Sequence, residues 1–249
     1  RLESVCIVKG TVGSNPTLSA IKMIKKYIKR KNFFYKLFLY YRIIYKEKFF
    51  INRKTYSQSG EDIFIINFMK KKKLVKGIYV DIGAFHPIKY SNTCLLFKSG
   101  WSGINIDLNQ TAIDYFNILR PNDKNICCAV SNIQKKTKVF IKSIFSPLNS
   151  ISKKHAVNLN FASKNDQSYL VKTKKFNSLI KKNFDFLNID IEGLDYAVLK
   201  SINFKFYTPK LICIEILKNS NLKKIKSYLK KFNYFYVKKC TTSYFFELK

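Results

Sequence analysis

Arginine and acidic residues are what this chain lacks. Arg occurs only at Arg1, Arg30, Arg42, Arg53 and Arg120, and 15 Asp and Glu stand against 47 Lys and Arg, a formal net charge of +32 over 249 residues. So basic a balance would ordinarily point to nucleic acid, since Lys and Arg neutralise phosphates and release counterions. Here the positive charge is nearly all Lys, in a chain crowded with Asn, Ile, Phe and Tyr, the residues of AT-rich codons. Genome composition accounts for much of the basicity, so no specific nucleic-acid partner is expected. A solvated Lys surface still attracts anions at low salt. Paired cysteines are missing too. Cys6, Cys94, Cys127, Cys128, Cys213 and Cys240 form no C-x-x-C and mostly lie in apolar runs, which argues against a zinc site or a disulfide framework and suits a reducing, cytoplasmic compartment. No stretch reaches the roughly 20 uncharged apolar residues that span a bilayer.

What is present is enough to fold. Hydrophobic residues make up 47% of the sequence, and the length suits one α/β domain with a short extension. Residues 1–22 have neither the Lys-rich texture nor the periodicity of the rest. Gly13-Ser14-Asn15-Pro16 can be encoded by GGTTCGAATCC, the sequence type of a tRNA T-arm, so this leader reads as non-native or disordered, with Met23 as the start. Residues 23–54 alternate Lys clusters with aromatic runs (Phe33-Phe34-Tyr35, Phe38-Leu39-Tyr40-Tyr41, Phe49-Phe50) at spacings that predict one or two amphipathic helices. Basic-aromatic helices can lie on anionic membranes, and packing against the domain is the alternative. A main domain is expected over 55–249.

Within it, strand and helix signals alternate. Gly77 to Gly83 is a short β-branched run closing on Asp81 and Gly83, the pattern of a buried parallel strand leading into a ligand loop. A helix over Ser91–Lys98, a strand over Gly103–Asp107, a helix over Gln110–Leu119 stopped by Pro121, and strands over Asn125–Val130 and Lys138–Ile141 follow. Ser143–Ser168 reads as a loop or lid. Then come a strand at Phe184–Ile189, a helix at Leu194–Ser201, a strand at Leu211–Ile216 and a helix at Asn221–Phe232. Two last strands, Phe235–Lys238 and Tyr244–Leu248, should pair as a hairpin. Strands separated by helices predict a doubly wound, mainly parallel α/β sheet of seven strands, closed by that C-terminal antiparallel hairpin.

In such a sheet ligands bind beyond the carboxyl ends of the strands, near the point where strand order reverses. Asp81 and Gly83 close the first strand, where the backbone can approach a ligand. Asp107 closes the second, with the reach to bind both hydroxyls of a ribose. Asp190 and Glu192 follow a later strand, and His86 lies in the loop after Gly83; one of these can take a proton from an acceptor hydroxyl. The competing readings are a solvated acidic loop for the carboxylates and a turn-fixing hydrogen bond at Pro87 for His86. No metal is expected, since two carboxylates do not define a cation site.

Tyr56-Ser57-Gln58-Ser59-Gly60-Glu61-Asp62, Tyr79 to Pro87, Ser91-Asn92-Thr93, Gly100 to Asp107 and Asp185 to Gly193, in this order and spacing, resemble the FkbM family of methyltransferases from about Tyr56 onward. The resemblance implies a class I, Rossmann-like fold and S-adenosylmethionine-dependent O-methylation, often of a sugar, glycan or other small hydroxyl-bearing metabolite. It assigns Glu61, Asp81, Gly83, Ala84, Asn92, Asp107, Asn109, Ser131 and Asp190 to the cofactor, and Asp190 and Glu192, with His86, to the acceptor side. Phe85 and Pro87 stand where the wider class I pattern has its later glycines. Trp101 reads as packing rather than stacking on substrate. Three other readings stay open: a nucleic-acid methyltransferase, though no N-P-P-Y-type motif occurs; a non-catalytic membrane-surface protein on this fold; and a nicotinamide oxidoreductase, though a full G-x-G-x-x-G is missing. The expected location is cytoplasmic, with residues 23–52 as a peripheral contact to the inner membrane surface.

Overall fold

Apolar, β-branched runs from Ile78 onward become strands of a sheet with a core on each face. Ile78–Ile82 (β1) is buried along nearly its whole length, as a central parallel strand must be. The computed structural model describes residues 33–140, 151–153, 157, 168–191, 193–217 and 219–249, and it divides into two compact units, Arg1–Asn52 and Arg53–Lys249.

The described part of the first unit is helical: α1 (Phe33–Tyr41), a π-helical turn (Arg42–Lys46) and α2 (Lys48–Ile51). The expected leader over 1–22 lies outside the described residues.

The second unit opens with Glu61–Lys71 (α3), a helix the sequence reading did not anticipate. Its entry explains the Tyr56–Asp62 motif. The Asp62 carboxylate accepts hydrogen bonds from Thr55 Oγ1 (2.6 Å), the Tyr56 amide (2.6 Å) and Ser57 Oγ (2.8 Å), while Glu61 accepts one from the Ser59 amide (2.7 Å). These contacts clamp the loop onto the first turn and place two carboxylates at the positive end of the helix. After β1 come α4 (Cys94–Lys98), β2 (Ser102–Asp107), α5 (Gln110–Leu119) and β3 (Lys124–Cys127). Asn109 caps α5, accepting from the Thr111 amide, so that helix has the predicted limits.

The predicted strand Asn125–Val130 is split. Cys128 turns its amide to the Asp107 carbonyl (2.8 Å), and Ala129–Val130 (β4) leaves for a second sheet. There it pairs with Ser168–Lys174 (β6), which pairs antiparallel with Lys136–Phe140 (β5). β6 is a strand the sequence reading did not anticipate: its apolar run, Tyr169-Leu170-Val171, is short and flanked by polar residues; much of the expected Ser143–Ser168 loop lies outside the described residues. β7 (Phe186–Ile189), α6 (Phe176–Leu179) before it, α7 (Asp195–Ser201), β8 (Leu211–Glu215), α8 (Asn219–Lys230), β9 (Tyr234–Cys240) and β10 (Ser243–Leu248) complete the chain.

The main sheet has seven strands in the order β3-β2-β1-β7-β8-β10-β9, parallel except at β10. The hairpin therefore places its last strand one position in from the edge and leaves β9 outermost. Strand order reverses between β1 and β7. One face carries an aliphatic core including Val80, Ile82, Leu187, Ile189, Ile212 and Ile214. The other, under α3 and α4, carries Tyr79, Phe186, Cys213 and Phe245, with Trp101 buried among them. Gly103 on β2 is required here, since a Cβ would lie 1.9 Å from the Tyr79 ring.

Candidate active site

Where β1 and β7 diverge, the chain approaches itself closely. Gly83 has φ +82°, and a Cβ on it would lie 1.6 Å from the Asp190 carbonyl oxygen; only glycine meets both demands. Its amide donates to the Ile106 carbonyl (2.8 Å), as does that of Ala84 (3.2 Å), and the Asp190 amide donates to Ile82 (2.9 Å). Above these bonds opens a cleft whose lining includes Gly83, Phe85, Asp107, Asp190, Cys128 and Val130. It lies at the point of strand reversal, where ligands bind in doubly wound sheets.

Asp107 ends β2 on the cleft wall. One carboxylate oxygen accepts the Phe85 amide (2.9 Å) and the other the Asn109 amide (2.6 Å). Each oxygen keeps a further lone pair, so the group is fixed in orientation while it can still accept from two neighbouring hydroxyls. Burial raises its pKa to about 6, against the two backbone hydrogen bonds that lower it. Phe85, a non-glycine residue at φ +51°, is held in that strained conformation partly by its hydrogen bond to Asp107.

Asp190, also in the lining, is hydrogen-bonded to Glu215 at the end of β8, the next strand. Burial first, then the charges of Glu215, Asp195 and Asp81, push its pKa well up. Asp195 organises the loop between Asp190 and α7, accepting the Ile191 amide (2.9 Å) and the Gly193 amide (3.0 Å); burial raises it to about 6.

The remaining expected site residues stand elsewhere. Asp81 is 2% exposed and turns under α4, accepting from Thr93 Oγ1 (2.8 Å) and Asn188 Nδ2 (2.8 Å); it does not line the cleft. Asn92 donates to Asn188 (3.0 Å), and Glu61 is spent on the α3 entry. Asn109 contributes its amide to Asp107 and its side chain to the α5 cap. Ser131 follows β4, its amide bonded to Lys174 (3.0 Å). His86 is buried, its Nδ1 accepting the amides of Ile88 (3.1 Å) and Lys89 (3.0 Å) and its ring packed on Tyr115. The structure thus gives it the turn-fixing place rather than a position in the cleft. Glu192 lies outside the described residues.

Behind Asp81 stands a cluster that sequence reasoning missed. Arg120, 1% exposed, donates to Tyr79 Oη (3.0 Å), Thr93 Oγ1 (2.9 Å), Ser91 Oγ (3.0 Å) and the Pro87 carbonyl. Tyr79 in turn donates to Asp123 (2.5 Å), which also accepts from the Gly103 amide and Asn105. The guanidinium is connected through hydroxyls to two buried carboxylates, Asp81 and Asp123. Among the described residues no group of three or more His, Cys, Asp or Glu side chains is placed to hold a metal ion.

Comparison with known proteins gives a family. Residues 81–236 match the model of the methyltransferase FkbM domain. Among solved structures, the chain is similar to a methyltransferase FkbM from Methylobacillus flagellatus KT (13% identity, TM-score 0.44, 69% of this chain and 43% of that one). It is also similar to a protein of Pyrococcus horikoshii assigned as an RNA methyltransferase (12% identity, TM-score 0.37, 80% of this chain and 92% of that one). The chain therefore spans under half the length of the Methylobacillus protein. None of the curated proteins matches it. The matched span runs from the end of β1 into β9 and includes every described residue of the cleft lining, and the chain belongs to the FkbM methyltransferase family.

Proposed function

We propose that the chain is an S-adenosylmethionine-dependent methyltransferase acting on a hydroxyl of a sugar, glycan or other small metabolite, with the cleft at Gly83, Asp107 and Asp190 as its cofactor site. The carrying observation is Asp107: a carboxylate at the end of β2, fixed by two amides, with acceptor capacity for two vicinal hydroxyls. The cleft fits the group in other respects. It lies at the point of strand reversal, where doubly wound sheets bind their ligands, and glycine at position 83 lets β1 and the Asp190 loop close into its floor. When bound, S-adenosylmethionine supplies an electrophilic methyl on a sulfonium centre.

The protein's own contribution is then placement and proton removal. Asp107 holds the ribose and Gly83 shapes the floor. Phe85 and Leu108 cover apolar surface at the cleft wall. Asp190, with Glu215 beside it, can take the proton of an acceptor hydroxyl, because its raised pKa makes it a stronger base than a solvated carboxylate. Alignment of the reacting atoms can supply about 7–11 kcal/mol in favourable cases, so the base need not be strong.

The test is calorimetric titration of S-adenosylhomocysteine into the wild type and Asp107→Ala at moderate salt, with melting curves of both. We expect micromolar binding that the substitution weakens by about 10- to 150-fold, the scale of hydrogen bonds to a charged group. A folded wild type that gives no binding heat overturns the reading.

A further inference from the structure

The described helical segment of the first unit has two unlike faces. Leu39, Ile43 and Glu47, spaced at i, i+4 and i+8, are buried. Across from them Phe33, Leu37, Tyr40 and Ile44 recur at i, i+4, i+7 and i+11 and are exposed at 67%, 46%, 48% and 56%; Tyr41, Tyr45 and Phe49 widen that face. Large apolar side chains concentrated on one exposed face mark an interaction surface. Charge accompanies them. Lys36, Lys46 and Lys48 are exposed, Arg42 is paired with Glu47 (3.8 Å), and Glu47 is the only acidic residue between Phe33 and Asn52.

We infer that this face, centred on Leu37, Tyr40 and Ile44, docks on an anionic lipid bilayer. The occupant follows from chemistry. Aromatic rings belong at the headgroup boundary and aliphatic side chains among acyl chains, while interleaved lysines meet lipid phosphates. RNA is a poorer fit, since Leu37 and Ile44 offer bases neither a stacking surface nor a hydrogen bond. A second copy fits poorly too, because pairing two such faces brings lysines together with no exposed acid to meet them. Residues 25–31, KKYIKRK, add more charge of the same sign. No helix among the described residues is long and apolar enough to cross a membrane, so the contact is peripheral. It is independent of the cofactor reading.

The experiment is sedimentation of the full chain with vesicles of phosphatidylglycerol and phosphatidylcholine, and with phosphatidylcholine alone. Three proteins are compared: wild type, Leu37→Ser/Tyr40→Ser/Ile44→Ser, and Lys223→Gln/Lys224→Gln/Lys231→Gln, which lowers charge on α8 and its end. All six positions are exposed or half-exposed, so folding is retained. The expected result is binding to anionic vesicles only, weakened at least about tenfold by the serine substitutions and less than about threefold by the glutamines. In Tyr40→Trp, emission shifts to the blue and is quenched by brominated acyl chains. Serine-variant binding within about twofold of wild type, or an unquenched Tyr40→Trp on bound protein, would show general surface attraction and overturn the inference. So would a wild-type dimer that the serine substitutions dissociate, or uridine homopolymer binding that they abolish.

Discussion

Two aspartates at neighbouring strand ends, Asp81 on β1 and Asp107 on β2, belong to polar clusters that differ in what they leave open. Around Asp81, every carboxylate is met from within: Thr93 and Asn188 bond Asp81, Tyr79, Gly103 and Asn105 bond Asp123, and Arg120 lies between them. Around Asp107, the internal partners are two backbone amides that fix the carboxylate and leave further lone pairs towards the cleft. Residue type and strand position are alike in the two cases. Each aspartate accepts one internal hydrogen bond per oxygen; what separates them is that Asp81 is 2% exposed and enclosed by side chains, whereas Asp107 lines the cleft, where its remaining acceptor capacity can meet a ligand.

The largest expected effect is on the closed cluster. Arg120→Met removes a buried cation and leaves Asp81 and Asp123 without a counter-charge, so urea unfolding at pH 7 should show a loss of about 3–5 kcal/mol, the range for breaking a buried charge arrangement from one side. Affinity of the folded variant for S-adenosylhomocysteine should stay within about threefold. A stability loss under about 1 kcal/mol would mean the cluster is not the closed unit its hydrogen bonds describe.

A smaller effect sharpens the contrast between the two aspartates. Asp81→Asn keeps the shape but offers one acceptor oxygen where Thr93 and Asn188 use two. Stability should fall by about 1–2 kcal/mol with ligand affinity nearly unchanged, the reverse of the outcome expected for Asp107→Ala. If Asp81→Asn instead weakens the ligand tenfold with no change in unfolding, Asp81 reaches the cofactor and the division between the clusters fails.

Much of this was legible from residue order. The strand-end rule picked out Asp81, Gly83, Asp107 and Asp190, of which the last three line the cleft, and Pro121 bounded α5, because these are local signals. Applied once more, the same strand-end rule picks out Glu215 at the end of β8, which was overlooked. Other features depend on pairings distant in sequence. Nothing near Arg120 announces that it will meet residues 27 to 41 positions upstream, and the split at Cys128 becomes visible only once β4 has β6 to pair with. The turn at His86 shows the opposite limit: its contacts to Ile88 and Lys89 are local, yet a histidine beside a strand-end glycine has the same sequence appearance whether it fixes a turn or moves a proton.

Titration should separate folding from binding at Asp107 itself. Burial raises Asp107 and Asp195 to about 6, from an ordinary value near 4. Between about pH 4 and 6 the folded state therefore binds more protons at these sites than the unfolded chain, so their contribution to stability falls as pH rises through that window and is lowest above it. Binding has the opposite sign, because a ribose is best held by the ionised carboxylate: affinity for S-adenosylhomocysteine should fall by about tenfold between pH 7.5 and pH 5. The chain's large positive charge adds its own acid destabilisation, so the stability term is read as a difference. Relative to Asp195→Asn, the wild type should lose stability as pH rises from 5 to 7. In Asp107→Asn the pH dependence of ligand affinity should flatten over the same range. Wild-type affinity that is already flat from pH 7.5 to 5 would mean that Asp107 meets the ligand without its charge, and that the open side of the comparison is held by other groups.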